Sequence, residues 1–247
     1  MNFDNSLFKK LEEVEQIILE TKDDYEFNDE DCWEFWSNIT HRGHYYNDEN
    51  AKFENGASKF CLIPKDEDYV VKVPFNSLWI EEEYCDENDE YVEGDYAPLT
   101  DYCKLERDNY VKAKEQFPGA EKFLAETKCV YSGDLKFYIQ EKVTGYWELN
   151  EENGSLNELR ISTTSEKLKE VISTNACSEI PAHWFEDLLD YGLIYDEMDA
   201  VNQFLDFLLN TRINDLCGRN VGYIGSKPVL FDYSGWFGPE GSDWVPY

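Results

Sequence analysis

The stretch from Asp215 to Asp232 restricts this chain more than any other. Asp215-Leu-Cys-Gly-Arg-Asn220 is followed by two short apolar runs around Gly225-Ser226, which end at Phe231-Asp232. Apolar runs of that length joined by a glycine-containing two-residue step read as a tight β-hairpin. A hairpin sets its ends side by side, so Asn220 and Asp232 are expected to become neighbours. One carboxamide and one carboxylate on adjacent loops can grip a divalent cation from two sides. Asp215, five residues ahead of Asn220, is the candidate to orient or deprotonate an arriving hydroxyl.

Further parts lie upstream in a definite order. Tyr69-Val-Val-Lys72-Val-Pro reads as a strand that carries a lysine. Ahead of it, Asn55-Gly56-Ala-Ser58-Lys59-Phe60 reads as a turn leading into the strand Phe60-Cys-Leu-Ile. With one glycine, that turn is a weak phosphate-loop signal by itself. After Lys72, the stretch Asp101–Gln116 reads as a helix containing Glu106, and 136–145 as a strand running into a linker that includes Glu141 and Val143. Val201, Phe204, Leu205, Leu208 and Leu209 recur at helical spacing, which predicts a buried helix that delivers the chain to Asp215.

The order and spacing of these parts resemble the protein-kinase-like fold over about residues 50 to 235. The local flavour of Asp215–Gly222 and Asp232–Gly235 is more similar to short, divergent kinase-like proteins of bacteria and phages than to signalling kinases. The resemblance implies ATP and Mg²⁺ as cofactors. It implies that Lys72 holds the first two phosphates, that Glu106 orients Lys72, and that Gly56, Ser58 and Lys59 form the turn over the phosphates. Backbone at Glu141 and Val143 would meet the adenine, Asp215 would serve as base, and Asn220 and Asp232 would bind metal.

Departures from the pattern bear on the substrate. Ile213 and Asn214 stand where protein kinases carry a His-Arg pair, so the arginine that reads a phosphorylated activation loop is absent. Cys217 takes the place of the usual catalytic-loop lysine, and Arg219 is the residue that can supply its charge, as in tyrosine-kinase-like loops. Only 15 residues follow Asp232. That leaves no room for an activation segment and peptide-binding helices, so the expected acceptor is a hydroxyl other than one on a peptide held by the standard platform.

The expected fold is α+β and bilobal, a small antiparallel sheet lobe with a shortened, mainly helical lobe. Residues 1–50 read as a helical extension, with Leu7, Phe8, Leu11, Val14 and Ile18 at helical spacing. Residues 51–145 read as the small lobe and linker, and 146–247 as the large lobe. An insertion at 146–200 holds helical stretches at Ser165–Ser173 and Ala182–Tyr191. The chain has 247 residues, 16% of them aromatic, enough for a sizeable core.

Charge sets a second boundary: 53 acidic against 22 basic residues give −31. Direct binding to nucleic acid or an anionic membrane is opposed, since affinity there comes from Lys and Arg. ATP is also a polyanion, so its site must be locally positive, and Lys72, Lys59 and Arg219 are the candidates. Distant acids are screened beyond roughly 8 Å at physiological salt. Residues 81–96 hold nine acids and no base and read as a solvated loop. The alternative to a phosphotransferase is a noncatalytic acidic pseudokinase that occupies a basic, nucleic-acid-binding protein, as a nucleic-acid mimic or inhibitor.

No apolar run approaches eighteen residues and the start lacks a basic-then-apolar layout, so a cytoplasmic protein is expected. Seven cysteines without a Cys-x-x-Cys read as free thiols. His41, His44 and Cys32 fall short of a four-ligand metal set. Trp33, Trp36, Tyr45 and Tyr46 lack the basic interleaving of a nucleic-acid platform and read as packing residues.

Overall fold

In the computed structural model the described residues are 11–12, 15–16, 51–55, 58–74, 77–80, 95–98, 100–133, 136–146, 166–175, 182–211, 213 and 215–235. They form a mixed α+β structure that divides into two units. One holds the described residues up to Tyr102 together with Cys129–Ile139, and the other holds Cys103–Lys128 and the described residues from Gln140 onward. Leu11, Glu12, Glu15 and Gln16 are helical. The rest of the expected N-terminal extension lies outside the described residues, as do Gly56, Asn214 and the aromatic and histidine residues between 32 and 46.

The first unit is organised by a five-stranded sheet in the order β1-β2-β3-β7-β6. Its strands are β1 (Ala51–Asn55), β2 (Lys59–Pro64), β3 (Tyr69–Pro74), β6 (Thr127–Ser132) and β7 (Lys136–Glu141). β1 and β2 are antiparallel, and so are β2 and β3, with Lys59 opposite Pro74 and Cys61 opposite Lys72. Because side chains alternate along a strand, this register puts Phe60, Leu62, Val71 and Val73 on one face and Lys59, Cys61 and Lys72 on the other. Phe60, Leu62, Val71 and Val73 are buried, as expected for a face that packs on a core, yet Lys59 and Lys72 are also buried, at 5% and 2% exposure.

A separate antiparallel pair, β4 (Ser77–Ile80) with β5 (Asp95–Pro98), flanks the acidic run. This corrects the reading of 81–96 as loop throughout: Asp95 and Tyr96 are strand residues, opposite Ile80 and Trp79. Residues 81–94 lie outside the described residues.

The second unit is built on α1 (Tyr102–Gln116), α2 (Glu166–Asn175), α3 (Ala182–Ile194) and α4 (Met198–Thr211), with a short 3-10 turn at Ala120–Phe123. α4 is the buried helix that the apolar spacing predicts. Val201, Phe204, Leu205 and Leu208 are buried, with Ala200 and Phe207 added to the same core. Leu209 is only partly buried and packs at its edge. Phe204 sits at the centre, its ring 5.6 Å from Phe123 and 6.3 Å from Trp184. Gly119, at φ 98°, lets the chain enter the 3-10 turn, where an added Cβ would come within 3.0 Å of Ala200 Cβ. α2 and α3 fall in the expected insertion, with α3 running three residues beyond Tyr191 to Ile194.

The stretch 136–145 is not one strand. β7 ends at Glu141, and Thr144–Gly145 form β8, which joins a second sheet in the order β10-β9-β8. Gly222 opposite Gly145 allows this pairing, because a Cβ at Gly222 would strike the Thr144 carbonyl oxygen. The Trp184 indole N–H donates to the Gly222 carbonyl at 3.0 Å, so the hairpin is tied to α3 as well. Among the described residues, no helix is long and apolar enough to cross a membrane.

Candidate functional site

The hairpin forms as its sequence requires. β9 (Val221–Ile224) and β10 (Lys227–Leu230) are antiparallel, with Val221 opposite Leu230 and Ile224 opposite Lys227. Gly225 takes φ 63° in the turn, the left-handed conformation that glycine adopts without penalty at the first position of a type II′ loop. The apolar ends are pulled into the core: Val221, Val229 and Leu230 are fully buried. A parallel bridge from Leu124 to Leu230, with the Ala125 N–H donating to the Leu230 carbonyl at 3.0 Å, fixes β10 from its other side.

Closing the hairpin brings Asn220 and Asp232 together. The Asn220 carbonyl accepts from the N–H of Phe231 at 2.9 Å and from that of Asp232 at 3.4 Å. Ahead of Asn220 the chain makes a tight turn, closed by the Asn220 N–H donating to the Cys217 carbonyl at 3.0 Å. That turn brings the Asn220 carboxamide back onto Asp215: its Nδ2 donates to the Asp215 carbonyl at 2.6 Å and to Asp215 Oδ2 at 3.0 Å. Both partners are acceptors only, so the amide nitrogen must face Asp215 and the oxygen must face away. Asn220 is 7% exposed, and among the described residues no donor reaches its Oδ1. A buried amide oxygen left without a partner costs about 1–3 kcal/mol. A cation ligand is one role that meets that cost, so the donor set fits a hard divalent metal. The Ser234 hydroxyl donates to Asp232 Oδ1 at 3.2 Å, which restricts the second carboxylate.

Glu106 is fully buried on α1, where Gln140 Nε2 donates to its Oε2 at 3.3 Å. Arg219 is exposed beside the buried Cys217. Glu141 and Val143 are half-buried. The Glu141 N–H donates to the Glu126 carbonyl at 3.2 Å, and its carboxylate accepts from the Glu126 N–H at 3.0 Å. Lys72, Lys59 and Ser58 are buried within the first unit, and Gly56 lies outside the described residues. Among the described residues, no group of three or more His, Cys, Asp or Glu side chains gathers as a metal cage. Asn220 and Asp232 are the candidate donors here, a set that fits Mg²⁺, which is commonly held by one or two protein groups and completes its shell with phosphate or water oxygens.

Sequence reading misses a polar network behind Asp232. Gln140 Nε2 also donates to Thr127 Oγ1 at 2.8 Å and to the Phe231 carbonyl at 2.7 Å. The Tyr233 hydroxyl donates to the Ala125 carbonyl at 2.6 Å and lies 3.0 Å from Thr127 Oγ1. Asn109 Nδ2 donates to the Tyr233 carbonyl at 2.8 Å. The only cue in the sequence is a glutamine at the end of the apolar run Phe137-Tyr-Ile, since Gln140 is buried with them.

Several tyrosines of this unit resist ionisation. Burial, followed by the charge of Glu106, pushes Tyr233 well above its ordinary value of 10.0. Burial, with the carboxylates of Glu126, Glu141 and Glu121, pushes Tyr110 up to about 12. Tyr223 is raised by burial and by its 2.6 Å hydrogen bond to Asp187. A raised value favours the neutral phenol in the folded state, so this contribution to stability is complete below pH 10 and is lost as pH rises through the raised values. The urea midpoint should therefore fall steeply above about pH 10, and part of the phenolate absorbance should appear only on unfolding. Full phenolate absorbance in the folded protein near that pH would contradict the burial.

No family model, no curated protein and no solved structure matches this chain.

Proposed function

We propose that this protein is a kinase-like, ATP- and Mg²⁺-dependent phosphotransferase that acts on a hydroxyl acceptor, and that its two units are the lobes of a divergent kinase-like fold. The observation that best supports this reading is the Asn220 carboxamide. It is locked by Asp215 through one end, and at the other its oxygen meets no donor among the described residues, on a backbone bonded directly to Asp232. Asn220 and Asp232 would hold Mg²⁺, which when bound neutralises charge on the phosphoryl oxygens.

The remaining roles belong to protein groups. Asp215 accepts the proton of the attacking hydroxyl at its carboxylate, and the Asn220 amide keeps that carboxylate oriented. Lys72 and Lys59 supply positive charge for phosphates, which a chain of net charge −31 must concentrate locally. Arg219 supplies the charge that Cys217 lacks. Glu106 would be the carboxylate that orients Lys72, the role that the kinase-like resemblance implies.

Thermal unfolding tests this reading. Mg-ATP at a hundredfold excess over its Kd should stabilise the wild type by about 2.7 kcal/mol, or roughly 5–10 °C in Tm for a chain of this size. Asp232→Ala and Lys72→Met should each remove the shift while the ligand-free proteins remain folded. An equal shift in all three proteins would overturn the site assignment.

A further inference from the structure

The network behind Asp232 has a defined direction. The Tyr233 hydroxyl has one proton, and its shortest acceptor is the Ala125 carbonyl at 2.6 Å. The Thr127 hydroxyl has two acceptors in reach, Tyr233 Oη at 3.0 Å and the Ala125 carbonyl at 3.4 Å, and the shorter one, Tyr233 Oη, is the better place for its proton. With its only proton given, Thr127 Oγ1 accepts from Gln140 Nε2 at 2.8 Å. Gln140 Nε2 has two protons. Thr127 takes one, and the nearer acceptor for the other is the Phe231 carbonyl at 2.7 Å rather than Glu106 Oε2 at 3.3 Å. Each proton in the chain has one best place, and such chains polarise and strengthen one another in a buried setting.

The consequence falls on Asp232. The peptide plane between Phe231 and Asp232 is held at its oxygen by Gln140 and at its N–H by the Asn220 carbonyl. One residue further on, the Tyr233 carbonyl is held by Asn109 Nδ2 at 2.8 Å. Backbone on both sides of Asp232 is therefore anchored to side chains of β7 and α1, and its carboxylate keeps only side-chain torsions, which Ser234 restricts at Oδ1.

We infer that Gln140 and Asn109 are positioning residues for Asp232, which set its carboxylate against the Asn220 amide oxygen so that the pair binds Mg²⁺ with the nucleotide. This rests on the proposed function. Groups that orient a ligand from behind typically account for 10–100-fold of metal affinity.

The test uses the full chain as wild type, Gln140→Met, which keeps the side-chain volume but removes the donor, and Asn109→Asp, which is isosteric and only partly buried. MgCl₂ is titrated against each protein saturated with ATP, and ATP is titrated separately in the presence of a chelator. Amide hydrogen exchange is followed at Phe231 and Asp232 and, as a control for global stability, along α4. Both variants should need about 10–100-fold more Mg²⁺. Metal-free ATP affinity and α4 exchange should be unchanged, and exchange at Phe231 and Asp232 should be faster. If the wild type shows no Mg²⁺-dependent binding, the proposed function falls and this inference with it. If the wild type binds and both variants bind Mg²⁺ equally well, the inference alone is overturned, whatever their exchange. If Gln140→Met does not fold, Asn109→Asp decides.

Discussion

Asp215→Asn is expected to slow phosphoryl transfer from ATP by roughly two to four orders of magnitude, the usual scale for a lost general base. Mg-ATP affinity should remain close to that of the wild type. The substitution preserves shape, and an asparagine oxygen at this position still accepts from Asn220 Nδ2, which holds the wild-type carboxylate at 3.0 Å. The second hydrogen bond, from Asn220 Nδ2 to the Asp215 main-chain carbonyl at 2.6 Å, does not involve the altered group. Under the proposed function, metal binding and proton transfer should therefore be separable at this site. Transfer of labelled phosphate to an added hydroxyl acceptor, to water or to the protein itself measures the effect. Equal rates for wild type and variant would remove the base and favour the noncatalytic alternative, a scaffold whose acidic surface engages a basic partner.

Phe204→Ala should produce the largest loss of stability, about 3–5 kcal/mol, the range for truncating a fully buried aromatic side chain. Phe204 is completely buried between Phe123 and Trp184. A cavity there removes contacts from the 3-10 turn and from α3 at once. For a chain of this length the loss corresponds to a fall in Tm on the order of 10 °C. Trp184 also holds the Gly222 carbonyl of the hairpin, so Mg-ATP affinity should weaken with the packing. A change in Tm of less than about 2 °C would show that the core is not organised around this ring.

Local elements were legible in the sequence where their signal is local. The hairpin follows from Gly225-Ser226 between apolar runs, and α4 follows from residues at helical spacing. The Asn220–Asp232 juxtaposition follows from the hairpin, because two paired strands leave their ends no other place. The break between β7 and β8 was not legible, since it depends on Gly222 admitting the Thr144 carbonyl from a distant segment. Nor was the grouping of Cys103–Lys128 with the second unit. It reflects the Leu124–Leu230 bridge and the Asn109 bond to Tyr233, both between residues more than a hundred positions apart. Gln140 was invisible for the same reason, as its partners come from α1, β6 and the segment after β10. Side-chain bonds to distant backbone leave no periodic trace in a sequence.

If Asn220 and Asp232 together hold a metal with a nucleotide, calorimetric titration of ATP with Mg²⁺ or with a chelator will show it. Wild-type protein should bind ATP at least about tenfold more tightly with Mg²⁺, as expected when a bound cation bridges protein oxygens and phosphates. Asp232→Ala should bind equally weakly under both conditions. Absence of binding in the wild type, or the same Mg²⁺ dependence in Asp232→Ala, would rule out a metal held by this pair.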